Sequence, residues 1–350
     1  MSLNIYESRP RVIRQNVDRC LAAGLVPFIT SAPGAGKSSL VHAIAKAYKL
    51  QLIDIRLSMA DPTDMSGLPV FDHVTGRARF MPFDMFPVAG TPLPDGMDGW
   101  LILLDELPSA SRAVMAASYK LILDRCIGMN PLHENVCLVA AGNRMQDKAI
   151  VNPMGTAMQS RLVHLEMGVN FEDWLRDVAL PQNYDSRIIG FLSMYEHHLM
   201  DFNPNHQDKT YSCPRTWEFV NRLVKVDGVE LPITVEDAPL LAGTITSGVA
   251  TDFIQYVTLA GELVSLADVL SDPDTAKIPT EVSAQWATVT RLIGAADDGN
   301  LTPIMKYLER YQMPMRVLAA RSAYAKNAKW AQHPGMRQAN VALAKYLWND

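Results

Sequence analysis

Phe28-Ile29-Thr30-Ser31-Ala32-Pro33-Gly34-Ala35-Gly36-Lys37-Ser38-Ser39-Leu40 is an apolar run that enters a turn of small residues and then a helical pattern. A strand that turns straight into a helix aims several backbone N–H groups at one point, where the helix dipole also favours negative charge. That point suits a polyphosphate. Gly34 and Gly36 let the backbone take positive φ and approach phosphate oxygens closely, Lys37 supplies a point charge for the β- and γ-phosphates, and the Ser38 hydroxyl can ligate Mg²⁺. The pattern G-x-x-x-x-G-K-[ST] is met except at its first position, where Ser31 stands for glycine; serine is small enough to be tolerated. Leu25–Thr30 before the turn and Ser38–Tyr48 after it are the strand and helix that the chemistry demands, so Ser31, Ala32, Pro33, Gly34, Ala35, Gly36, Lys37, Ser38 and Ser39 form the expected ATP-binding loop.

The 350 residues suffice for two domains or one large one with appendages, and 48% apolar with 20% charged residues describes an ordinary globular composition. No apolar run approaches the roughly eighteen residues of a membrane span, and Met1–Pro10 lacks a basic-then-apolar leader, so a cytoplasmic, uncleaved chain is expected. Cys20, Cys126, Cys137 and Cys213 are scattered without a C-x-x-C pair, which argues against a zinc site or a disulfide framework. Net charge is −5, yet Lys306 to Asn349 holds eight Lys or Arg against the single acid Glu309.

Taken in order, Arg9–Ala23 reads as an amphipathic helix and Leu50–Leu57 as a second strand. Met59–Phe86 is dense in Pro, Gly and Asp and contains Phe71–Phe80, a hairpin turning near Thr75-Gly76 and inserted between parallel strands. Trp100–Glu106 is an apolar strand ending in two carboxylates, followed by a helix from about Ser109, read as its N-cap, to Asp124. Val136–Ala141 and Arg161–Leu165 are the remaining strands. Alternation of strands and helices over this part predicts a parallel sheet covered on both faces. Beyond Val169 the pattern is helical: Phe171–Val178, Ser186–His198, Thr216–Val224, Val235–Tyr256, Pro279–Ile293, Val317–Trp330 and Gln338–Trp348, with no convincing strand. The expected domains are 1–168 for the α/β nucleotide-binding core, with its insert hairpin at about 67–83, 169–270 for an α-helical lid, and 271–350 for a C-terminal helical extension.

An aspartate ending a buried strand can hold Mg²⁺ through its water shell, and an adjacent glutamate can polarise the water that attacks the γ-phosphate; Asp105 and Glu106 fit these roles. Asn143, at the end of its strand, can touch that water or the γ-phosphate. His197-His198 with His206 do not make a metal site, because adjacent histidines diverge by about 100° on a helix. Arg144, Lys148, Arg77 and Arg79 read as solvated or interface charges, and Met81, Met85 and Met97 as residues that meet a partner or fill a core.

Together these motifs resemble an AAA+ ATPase, and more narrowly the MoxR-like group within the helix-2-insert clade. Ser31–Ser38 looks like Walker A, Leu101–Glu106 like Walker B, and Asn143 like sensor 1. Asp61-Pro62-Thr63-Asp64-Met65-Ser66-Gly67 with the following hairpin is similar to the group's insert, where P-x-D-x-x-G precedes a hairpin. Ser160-Arg161-Leu162 resembles the segment that supplies an arginine finger, with Leu162 in place of Phe, and Cys213-Pro214-Arg215-Thr216-Trp217 looks like sensor 2. The match spans roughly residues 9–225. It implies an ATP-hydrolysing, Mg²⁺-dependent homo-oligomeric ring, most simply a hexamer, with Glu106, Asn143, Arg161 and Arg215 catalytic and with Ser38 and Asp105 at the metal. It also implies a remodelled partner protein, one with a von Willebrand A-type domain. A nucleic-acid motor or loader is the alternative, since the same insert occurs in replicative helicases and the C-terminal helices are basic; the net charge of −5 weighs against it. A non-hydrolysing nucleotide switch would not need Glu106.

Overall fold

A strand that is apolar at every position can be buried on both faces only inside a sheet covered by two helical layers. In the computed structural model, which describes residues 6–74, 76–147, 152–260 and 264–347, Gly99–Asp105 is such a strand, buried at all seven positions.

The chain runs through β1 (Glu7–Ser8), α1 (Pro10–Ala22), β2 (Val26–Ser31), α2 (Lys37–Ala47) and β3 (Leu50–Arg56). After α3 (Pro62–Ser66) come the antiparallel pair β4 (Leu68–Asp72) and β5 (Arg77–Met81), β6 (Gly99–Asp105) and α4 (Arg112–Asp124). A short pair, β7 (Cys126–Ile127) and β8 (Asn130–Pro131), precedes β9 (Val136–Asn143), α5 (Thr156–Gln159) and β10 (Leu162–Met167). Six strands form one parallel sheet in the order β1-β10-β2-β9-β6-β3. Period-two alternation sorts its side chains. Phe28, Ile102, Leu104, Leu138 and Ala140 pack with Val114, Leu121 and Ile122 of α4 on one face. Ile29, Leu101, Leu103, Val139 and Ala141 pack with Ile13 and Val17 of α1 and with Val41 and Ile44 of α2 on the other.

The expected hairpin is present and longer, Leu68–Asp72 with Arg77–Met81; Thr75, at its predicted turn, lies outside the described residues. Asp61 caps the turn before it, accepting from Thr63 N at 2.9 Å while Asp64 accepts from Asp61 N at 2.8 Å. Gly67, at φ 83°, closes the hairpin's base, since a Cβ there would stand 2.3 Å from the Met81 carbonyl oxygen. Most of the hairpin is solvent-exposed, Phe71 and Val74 included. Helix α4 starts later than expected: Leu107–Ser109 is a 3-10 turn, and Ser111, not Ser109, caps the helix by accepting from Val114 N at 3.2 Å. The sequence pattern also missed β1, β7 and β8 and, beyond Val169 where no strand was expected, the antiparallel pair Lys225–Val226 with Val229–Glu230, all two-residue segments too short to show a period.

Contacts divide the chain into Met1–Val169 with Asn203–Asn205, and Asn170–Phe202 with His206–Asp350. The second unit contains α6 (Phe171–Trp174), α7 (Ser186–Met194), α8 (Pro214–Val224), the two-residue strands β11 (Lys225–Val226) and β12 (Val229–Glu230), α9 (Ala238–Ile245), α10 (Ser247–Ala260), α11 (Leu266–Ser271), α12 (Val282–Gly294), α13 (Leu301–Leu308), α14 (Met313–Lys326), α15 (Arg337–Ala342) and α16 (Ala344–Leu347). The stretch read as helical from Val235 to Tyr256 is broken at Thr246, whose φ of 79° ends α9 before α10 begins. An aromatic core of Phe191, Trp217, Phe253 and Tyr256 ties α7, α8 and α10 together. Much of the C-terminal basic excess is used internally. Lys326 donates to the carbonyls of Ile293, Gly294 and Ala296 at the end of α12, Arg310 to those of Pro273 and Ala276, Arg321 to that of Tyr346, and Lys306 pairs with Asp274. No helix among the described residues is long and apolar enough to cross a membrane.

Candidate functional site

In a parallel sheet every strand ends at the same edge, so residues far apart in sequence converge where the strands stop. Ser31 pairs with Asn143 and Arg56 with Asp105, which brings the ends of β2, β9, β6 and β3 to one rim. The turn after Ser31 carries Gly34 at φ 79° and Gly36 at φ 97°, ψ 20°. Space does not require glycine at 36, because nothing stands within 4 Å of an added Cβ; the left-handed backbone does. Helix α2 then starts at Lys37, so its free N–H groups face the turn.

Lys37 is only 9% exposed. Its ammonium donates to Ser31 Oγ and Asn143 Oδ1, each at 3.0 Å, and lies 3.4 and 3.5 Å from the Ser31 and Ala32 carbonyls. Ser31 thus does more than fit in the place of glycine: its buried hydroxyl accepts from the lysine. Ser38 Oγ donates to Asp105 Oδ2 at 2.8 Å, while Asp105 Oδ1 accepts from Glu106 N at 2.8 Å. A hydroxyl beside a carboxylate is a hard oxygen donor set, and this pair fits Mg²⁺ shared with phosphate oxygens and water. Among the described residues no group of three or more His, Cys, Asp or Glu could hold a metal. Glu106 sits in the left-handed region at φ 57°, ψ 31°, and its carboxylate accepts from Ser58 Oγ. Glycine at 142 lets Pro108 pack against β9, for a Cβ there would meet the proline ring at 2.3 Å.

This is an α/β P-loop NTPase fold with a helical C-terminal part. The P-loop follows the central strand β2, flanked by β9 and β10, and the carboxylates end β6 one strand beyond β9. No protein-family model matches the chain, and no curated protein matches it. Among solved structures it is similar to that of a "putative ATPase" from Cytophaga hutchinsonii, at 12% identity, covering 96% of this chain and 88% of that one, with a TM-score of 0.36. The strand order, the P-loop and the rim residues themselves define the fold.

The structure brings Ser31, Lys37, Ser38, Asp105, Glu106 and Asn143 to the P-loop rim. Arg161 is elsewhere, exposed at the opposite edge: the next residue, Leu162, pairs with Val26 at the amino end of β2, and its guanidinium donates to the Ala157 carbonyl. Arg215 is exposed in the first turn of α8, in the second unit. Arg77 and Arg79 are exposed on β5, and Lys148 lies outside the described residues. Of the histidines, His198 stacks on Phe191 and faces Asp252 at 3.7 Å, and His206 packs against Phe202 and Tyr211.

Arg144, read as a solvated or interface charge, is held instead in an internal cluster of ion pairs. Its guanidinium grips Asp147 with two bonds, at 3.0 and 3.1 Å, and Glu166 with a third, at 3.1 Å. Burial opposes its charge, but the bonds to the two carboxylates outweigh that and raise its pKa above the usual arginine value. Sequence reasoning also missed Ser58 and the role of Gly142. The register of β3 on β6, Arg56 opposite Asp105, is the signal that places Ser58 near Glu106, and it exists only once the strand order is known.

Proposed function

We propose that this chain is an ATP hydrolase of the AAA+ class, MoxR-like, that works as a ring, most simply a hexamer, and uses turnover to remodel a partner protein bearing a von Willebrand A-type domain. The observation that carries the reading is the meeting of Lys37, Ser38, Asp105, Glu106 and Asn143 on one rim, with Arg161 at the far edge of the same sheet. The P-loop N–H groups and Lys37 would hold the β- and γ-phosphates. Mg²⁺, held by Ser38 and Asp105, would neutralise charge on those phosphates. Glu106 would take the proton of the attacking water as the bond from the γ-phosphorus to the ADP oxygen breaks, with Asn143 orienting that water. Arg161 and Arg215 would add positive charge at the phosphates, Arg161 from a neighbouring subunit. The partner proposal rests on the insert: Asp61–Gly67 followed by a hairpin that offers Val70, Phe71, Val74 and Phe80 at its surface.

The nucleic-acid alternative loses support where Lys306, Arg310, Arg321 and Lys326 are engaged by the chain's own carbonyls and Asp274, which leaves fewer of the basic residues for phosphates. The test is Mg²⁺-dependent phosphate release by the wild-type protein and by Lys37→Ala, together with a pull-down using Glu106→Gln to hold the ATP-bound state. Release abolished by Lys37→Ala and a co-purifying protein support the reading. Release independent of Lys37 would overturn the ATPase, and nuclease-sensitive capture of DNA or RNA would replace the partner protein with a nucleic acid.

A further inference from the structure

Asn143 stands on the last rung of the β2–β9 ladder, opposite Ser31. Beyond it no backbone pairing continues, because β2 has already turned into the P-loop. Whatever directs the chain after Asn143 therefore helps to aim a carboxamide that contacts Lys37. Arg144 is the next residue, and its side chain supplies that direction twice over.

Two of its bonds close a local loop, from Arg144 Nε and Nη2 to the carboxylate of Asp147, whose side chain is 1% exposed. The third, from Nη1 to Glu166 Oε1, reaches β10. Strand β10 is not a neighbour of β9: β2 lies between them, with Thr30 opposite Glu166. The link therefore crosses two strand spacings, about 9.6 Å, at the level where β2 leaves the sheet. It also relieves a conflict. Glu166 pairs with Glu7 of β1, two like charges directly opposite, and Arg144 supplies a counter-charge.

We infer that Arg144 is a positioning residue for hydrolysis: by clasping Asp147 and Glu166 across the end of β2, it holds Asn143 in working register. This rests on the ATPase reading above. The planar fork matters as well as the charge, because only a guanidinium can serve both carboxylates of this geometry with parallel and divergent N–H groups.

The experiment compares wild-type protein with Arg144→Lys, Asn143→Ala and the double variant, measuring kcat for ATP, the Kd for ADP by calorimetry, and Tm. Arg144→Gln is a poorer probe, since it removes the charge as well as the fork from beside Asp147 and Glu166. Arg144→Lys keeps a cation and loses the fork. The expected result is a fall in kcat of about tenfold or more, the scale of a sub-ångström to ångström misplacement, with Kd for ADP within about twofold of wild type. If the clasp acts through Asn143, Arg144→Lys adds little to Asn143→Ala. Unchanged kcat in Arg144→Lys overturns the inference. So do a parallel loss of ADP affinity and Tm, which marks a purely structural ion pair, and fully additive losses in the double variant. Wild-type protein without Lys37-dependent hydrolysis refutes the ATPase reading itself, a distinct result.

Discussion

Replacing Arg161 with alanine tests whether the catalytic unit is one subunit or two. Leu162 pairs with Val26, and the P-loop begins after Ser31, five residue steps along β2. At about 3.3 Å per residue that is about 17 Å, well beyond the length of an arginine side chain. Arg161 therefore cannot reach the P-loop rim of its own sheet, and any charge it lends to a phosphoryl oxygen goes to a neighbour. Arg161→Ala should bind ATP as the wild type does and hydrolyse it about 10³-fold more slowly, the range supplied by arginine fingers. The assay is phosphate release from Arg161→Ala mixed with Lys37→Ala, with co-assembly checked by size exclusion on differently tagged subunits. In randomly mixed rings, roughly a quarter of the head-to-tail interfaces join an intact P-loop to an intact Arg161, so activity should recover to about a quarter of wild type. No recovery in co-assembled rings, or full activity of Arg161→Ala alone, would refute the argument.

Glu106→Gln should still bind ATP while turnover falls by about 10²-fold or more; surviving turnover places the base elsewhere. Gly142→Ala brings a methyl roughly 1 Å too close to the Pro108 ring, so stability should fall by about 1–3 kcal/mol in a denaturant titration and turnover should drop with it, because Pro108 is two residues from Glu106. An unchanged denaturation midpoint would show that the ring can yield. His198 has its pKa lowered by burial first and by His197 second, against the opposing pull of Asp252 and Asp201. The unfolded chain then takes up its proton at a higher pH than the folded one, so this contribution is intact above the ordinary histidine value of about 6.5 and is lost as pH falls below it toward the folded pKa. Melting followed from pH 7.5 to 5.5 should show a shallower acid-side loss in His198→Gln than in wild type; identical slopes would discount His198.

The strand, glycine turn and helix around Lys37, and the apolar strand that ends in Asp105-Glu106, are legible in the sequence because their chemistry is local. Hydrophobic period, glycine placement and a carboxylate after a buried run lie within one segment. The hairpin was readable for the same reason, through its turn residues, whereas Asp61–Gly67 stood out only by resemblance and its cap by Asp61 is visible only in the structure. Other features depended on neighbours. Ser111 took the cap expected of Ser109, because Leu107–Ser109 was drawn into a tight turn against β9. Thr246 broke a helical pattern by adopting a φ that local propensity disfavours. Lys37 meets Asn143, Glu106 meets Ser58, and Arg144 meets Glu166 across separations of 106, 48 and 22 residues. Those meetings follow from the order β10-β2-β9-β6-β3 and its register. Strand order is set by the packing of whole faces against α1, α2 and α4, a long-range free energy that no window of the sequence contains.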